Sequence, residues 1–150
     1  MMRKILLAAV AAMALGACGQ MGSGPALPPV QEGAQAPSVQ QRPSGQTQRG
    51  EFNDEVHAQL RQDIATQLDQ IAQNFAAGMA PGEGFADQVV TLEPGTDHRW
   101  QVNLTGGRPY MFIGACDGDC TNVDIELISM STGGVVASDM LPDDYPVVQF

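Results

Sequence analysis

The spacing of apolar positions changes several times along the chain, and each spacing predicts a different element. Ile5 to Leu15 is an apolar run of about 11 residues behind Arg3 and Lys4, which has the make-up of a secretory signal and is too short to span a bilayer. Residues 19–50 then carry Gly, Pro, Gln and Ser, with no aromatic residue and few aliphatics. Such a stretch cannot bury enough apolar surface to offset the entropy of ordering, so the composition predicts a disordered tether over 18–50. As a coil, the 32 residues of 19–50 would average roughly 30 Å end to end, with an extended limit near 105 Å.

Between Asn53 and Ala77 the apolar residues are Val56, Leu60, Ile64, Leu68, Ile71 and Phe75, separated by three or four positions with Gln, Asp and Arg between them. This predicts an amphipathic helix within 51–78. Asn53 is placed to cap it, Asp54 and Glu55 suit its positive first turn, and Gly78 and Pro81 supply the stop. A spacing nearer four than 3.6 makes the stripe drift around the helix, so one flat partner would not cover all of it.

From Phe85 onward the period becomes two and turn signals recur every 8 to 12 residues. Strands are predicted at 86–92, at 98–104, at 109–116, around Val123-Ile125-Leu127, at 135–139 and from Val147 on. Pro94-Gly95, Gly106-Gly107 and Gly133-Gly134 turn the chain between them. The 109–116 strand is apolar on both faces, which predicts a central position with the helix over one side. The fold expected is mainly β: a small antiparallel, jelly-roll-like sandwich over 85–150, preceded by one helix and a disordered tether. A sandwich of this type usually needs about 100 residues, so the β region is expected to be incomplete at its C-terminus.

Charge and cysteine content narrow the partners. Removal of 1–17 as a signal takes away Arg3 and Lys4, leaving five arginines, no lysine and 17 acidic residues, a net charge of −12. No basic cluster remains to neutralise phosphates, so nucleic acid is not an expected partner. Anionic headgroups would repel the chain, and membrane attachment must then be covalent. Cys116 and Cys120 are expected to form one disulfide in an exported compartment, shaping their loop more than holding the fold. The alternative of a redox-active pair lacks an electropositive setting, and zinc lacks ligand spacing, with only His57 and His98 to add.

Asp117, Asp119, Asp124, Asp139, Asp143 and Asp144 fall in loops that a sandwich can gather at one end. Oxygen ligands in number are what calcium requires, so the first five are candidate calcium ligands, against the alternative of a solvated acidic surface. An EF-hand loop is excluded, because Asn122 stands where its glycine belongs and Ile128 where its glutamate belongs. Trp100 alternates in phase with Val102 and Leu104, which predicts a core residue in place of a sugar-stacking platform. No nucleophile elbow, phosphate loop or His-partnered nucleophile occurs, so no enzymatic activity is expected.

Two resemblances extend this reading. Leu15-Gly16-Ala17-Cys18 resembles the lipobox that ends a bacterial lipoprotein signal peptide. The resemblance implies cleavage before Cys18, a diacylglyceryl thioether on its sulfur and N-acylation, with Cys18 as the first mature residue. Gly19, which is not the aspartate of an inner-membrane retention signal, implies the outer membrane facing the periplasm. The pattern Trp100-x-Val102-x-Leu104, Tyr110-x-Phe112, Val123-x-Ile125-x-Leu127, Gly134, Val136-Ala137-x-Asp139 resembles the bacterial pre-peptidase C-terminal domain, a small secreted β-sandwich. Members of that family are non-catalytic appendages of hydrolases, implicated in secretion, adhesion or calcium binding. The chain departs from it in having no protease ahead of the module and in its cysteine loop. The expectation is a non-catalytic, lipid-anchored envelope protein that binds an envelope protein or glycan, or else an accessory or inhibitory partner of an exported hydrolase.

Overall fold

The computed structural model describes residues 24–40, 54–82, 85–92, 94–118 and 120–150. The signal segment 1–17, Cys18, the Asn53 cap and Asp119 lie outside the described residues, as does the side chain of His57.

Helix α1 runs Asp54–Phe75, and Gly78 ends it in the left-handed region at φ 83°. Its apolar stripe is covered only in the middle. Leu60, Ile64, Leu68 and Ile71 are half-buried, whereas Val56 is 41% and Phe75 51% exposed, as a drifting stripe requires of a short partner. The helix lies against β1 (Met111–Ile113), matching the cover expected for that apolar strand.

β1 pairs antiparallel with β4 (Val147–Gln149), in the register Met111 with Gln149, Phe112 with Val148 and Ile113 with Val147. Backbone bonds carry the pairing past the strand ends: Tyr110 and Phe150 exchange N–H to O bonds, Gly114 N–H donates to Pro146 and Cys116 N–H to Asp144. β2 (Ile125–Ile128) and β3 (Val135–Asp139) make a second antiparallel pair with a bulge between Leu127 and Ile128. The two pairs meet where β4 lies beside β2 and β3. A Cβ built on Gly114 would come within 2.8 Å of the Pro146 Cγ and 3.2 Å of the Ile125 Cδ1, so a glycine allows the two sheets to close together here. Val148, 2% exposed, and the fully buried Pro146 form this centre.

The architecture is therefore two small antiparallel sheets and one helix, and no further described strand closes the sheets upon each other. Two of the expected strands are absent. Residues 86–92 are extended without a ladder and keep Val90 and Leu92 exposed, and 98–104 carries a single bridge at His98. The half-buried and exposed residues still alternate from Gln101 to Thr105, so the side-chain period survives without a backbone partner. Trp100 is 47% exposed and is not a core residue; the His98 ring stacks on it with centroids 5.9 Å apart.

The larger departure is in the expected tether. Residues 24–40, inside the 18–50 segment read as disordered, lie along the β2–β3 hairpin as a strap. Gln31 N–H donates to the Thr132 carbonyl at 2.8 Å, and Val135 N–H to the Gln35 carbonyl at 2.9 Å. Pro37 is fully buried. Gly133 and Gly134 are buried beneath this strap, and a Cβ at Gly133 would strike the Pro29 carbonyl oxygen. Proline limits the entropy lost when such a segment settles, so a few bonds suffice to hold it.

Candidate functional site

The end of the molecule that gathers the cysteine loop and the acidic loops was the expected site, and the chain does bring several of these residues together. Cys116 and Cys120 are at disulfide-bond distance with their Cα atoms 5.8 Å apart, and Cys120 N–H donates to the Asp117 carbonyl at 3.0 Å, closing a tight turn. Both flanks of this loop hang on the 141–146 segment. Cys116 N–H reaches the Asp144 carbonyl at 3.1 Å, and Val123 N–H reaches the Asp143 carbonyl at 3.0 Å. Asp117, Asp124, Asp143 and Asp144 therefore share one region.

Two of the acidic side chains, Asp139 and Asp143, take backbone amides. Asp139 accepts the Leu141 N–H on one oxygen at 3.2 Å and the Val147 N–H on the other at 2.9 Å, which fixes the corner from β3 into β4. Asp143 accepts the Tyr145 N–H at 3.3 Å, and Asn122 donates to Asp124 at 3.4 Å. Among the described residues no three His, Cys, Asp or Glu side chains converge as a metal ion would need. Asp119, one of the five candidate ligands, lies outside the described residues.

Beside this region a hollow of about 170 Å³ lies between α1 and the 144–145 turn, lined by Gln67, Gln70, Ile71, Asp144 and Tyr145. Typical small-molecule sites hold about 300 to 1,000 Å³, so this hollow suits a side chain better than a substrate. Elsewhere Arg99 pairs with Asp97 at 2.7 Å. No described helix is long and apolar enough to cross a membrane.

Sequence reasoning missed a polar site under the strap. Glu126 sits on β2, where the alternation with Ile125 and Leu127 predicts a solvent-facing side chain. The strap covers that face. Ser38 N–H donates to the two Glu126 carboxylate oxygens at 2.9 and 3.1 Å, and the Ser38 hydroxyl donates to one of them at 2.9 Å. Ser38 opens a 3-10 turn, Ser38–Gln40, so the carboxylate takes up an amide hydrogen that the turn itself leaves free. Residues 88 apart make this contact, and the only local hint was a serine following Pro37.

The chain matches no protein family, no curated protein and no solved structure.

Proposed function

We propose that the chain is a non-catalytic lipoprotein of the bacterial cell envelope, anchored by acyl chains on Cys18, whose folded part is a binding or structural module. The observation that carries this reading is Leu15-Gly16-Ala17-Cys18 following a positive start and an apolar run too short to span. A cysteine pair at disulfide distance supports an oxidising compartment. We also propose that the two sheets are parts of a small sandwich resembling the pre-peptidase C-terminal domain. Its site is the outer membrane facing the periplasm, and its partner an envelope protein or glycan. Trp100 and Tyr145, 47% and 46% exposed, support a surface that recognises a partner without chemistry.

A second reading has its own observation. Val56 and Phe75 leave both ends of the α1 stripe uncovered, as a helix that docks on another protein would, and this favours an accessory or inhibitory partner of an exported hydrolase. Replacing Cys18 with serine tests the anchor: the protein is expected to move from membranes to the soluble fraction. Unchanged membrane partition of Cys18→Ser overturns it. Pull-down from envelope extracts separates the two readings, since a stoichiometric hydrolase supports the second and glycan retention without one supports the first.

A further inference from the structure

We propose that the strap of residues 24–40 is a releasable leash lock, clasped by Glu126 on Ser38, which sets how far the folded part can stand from the membrane; the inference rests on anchoring at Cys18. Chain length supplies the first half of the argument. Gly24 is six residues beyond Cys18, and a span of that length reaches at most about 20 Å. With the strap undocked, the next described residue is Asp54, 36 residues beyond Cys18, and the chain-length limit to it rises to about 120 Å. Docking therefore changes the permitted reach about sixfold without any change in the sheets.

The nature of the contact supplies the second half. The strap adds two backbone bonds, from Gln31 N–H to Thr132 and from Val135 N–H to Gln35, and the Gln31 side-chain amide donates to the Ser131 carbonyl at 2.9 Å. A further polar hold is the Glu126 carboxylate, which receives both the amide and the hydroxyl of Ser38 in a half-buried setting. A charge-assisted pair of this kind is stronger than the neutral bonds around it. It also lies at the far end of the strap from the anchor. Opening it removes the charged part of the strap's hold while β2 and β3 keep their own ladder, the condition for local opening without global unfolding.

The docked strap also fixes which face is held near the bilayer. A Cβ built on Gly24 would fall on the Arg99 carbonyl oxygen, so the strap begins against the neighbour of Trp100, the single tryptophan of the chain. Trp100 is 47% exposed and serves as the reporter.

The test uses the full lipidated protein on vesicles containing a dansyl-labelled headgroup lipid, as wild type, Glu126→Ala and Ser38→Pro. Ser38→Pro removes the amide and hydroxyl donors from the strap side and leaves the sheets untouched, so it guards against a folding defect in Glu126→Ala. Energy transfer from Trp100 to dansyl is expected in wild type and to fall severalfold in both variants. Amide exchange at Gln31 and Val135 is expected to be slow in wild type and about tenfold faster in both variants. Unprotected Gln31 and Val135 amides in wild type overturn the proposal, as does energy transfer that stays equal when those amides speed up. Protein that stays on the vesicles with no amide response overturns the strap alone. Loss of the wild type from the vesicles with the amide response intact overturns the anchor at Cys18, and with it the role in reach.

Discussion

Asp139 is the carboxylate whose job the structure states most clearly, and Asp139→Asn is the substitution that separates a backbone clamp from a metal ligand. Both oxygens of Asp139 are in use, one on Leu141 N–H and one on Val147 N–H, at the corner where β3 gives way to β4. Asparagine keeps the shape, retains one acceptor and puts an amide donor where the other was. One N–H of the half-buried corner then faces a donor, and the surviving bond loses its charge assistance. Bonds to charged groups contribute about 1.5 to 3 kcal/mol, so a loss of about 2 kcal/mol is expected. For a domain of this size that lowers Tm by about 8 to 16 °C. Thermal melting of the oxidised protein followed by circular dichroism reads it directly. Asp144→Asn is the control, because the exposed Asp144 enters this network through its backbone carbonyl, and a surface change of that sort stays within about 0.5 kcal/mol. The loss at Asp139 should be the same in calcium, in magnesium and in chelator at constant ionic strength. Equal effects at 139 and 144 would refute the clamp. A loss at 139 that appears only when calcium is present would show the carboxylate to be a metal ligand.

Two other perturbations test the packing. Val148→Ala empties the best-buried aliphatic position, 2% exposed, and should cost about 2 kcal/mol in a denaturant titration; a change under about 0.5 kcal/mol would mean that the centre lies elsewhere. Replacing both Cys116 and Cys120 with serine opens so small a loop that about 2 kcal/mol is expected, with the fold retained by circular dichroism; outright unfolding would mean that the loop holds the sheets and is not merely shaped by the bond.

What could be read from the sequence divides by how local the cause is. The helix was legible because Leu60, Ile64, Leu68 and Ile71 repeat at helical spacing within one segment, and the exposed ends at Val56 and Phe75 follow from the same spacing. The turn at Gly133-Gly134 and the strand Val135–Asp139 were legible for the same reason. Strands at 86–92 and 98–104 were not, since alternation describes side chains and a ladder needs a second backbone at the right distance. Gln101 to Thr105 shows the two coming apart: the alternation persists and the ladder does not. The strap was the furthest from view. Its composition is that of a linker, and what orders it is a set of bonds to residues 88 to 101 positions later, with Glu126 appearing in sequence as an ordinary outward-facing charge. The acidic residues are partly gathered, but Asp139 and Asp143 take the amides of Leu141 and Tyr145 two residues on, and Asp139 also takes that of Val147 eight residues on, a contact that no local pattern shows.

Anchoring turns on the chemistry of one atom, the Sγ of Cys18. Intact mass and fragment spectra of protein purified from membranes measure it directly. A lipid-anchored protein is expected to show an N-terminus at Cys18 carrying a diacylglyceryl thioether and an N-acyl chain, with residues 1–17 gone. A chain that starts elsewhere, or one that starts at Cys18 with an unmodified thiol, would contradict it.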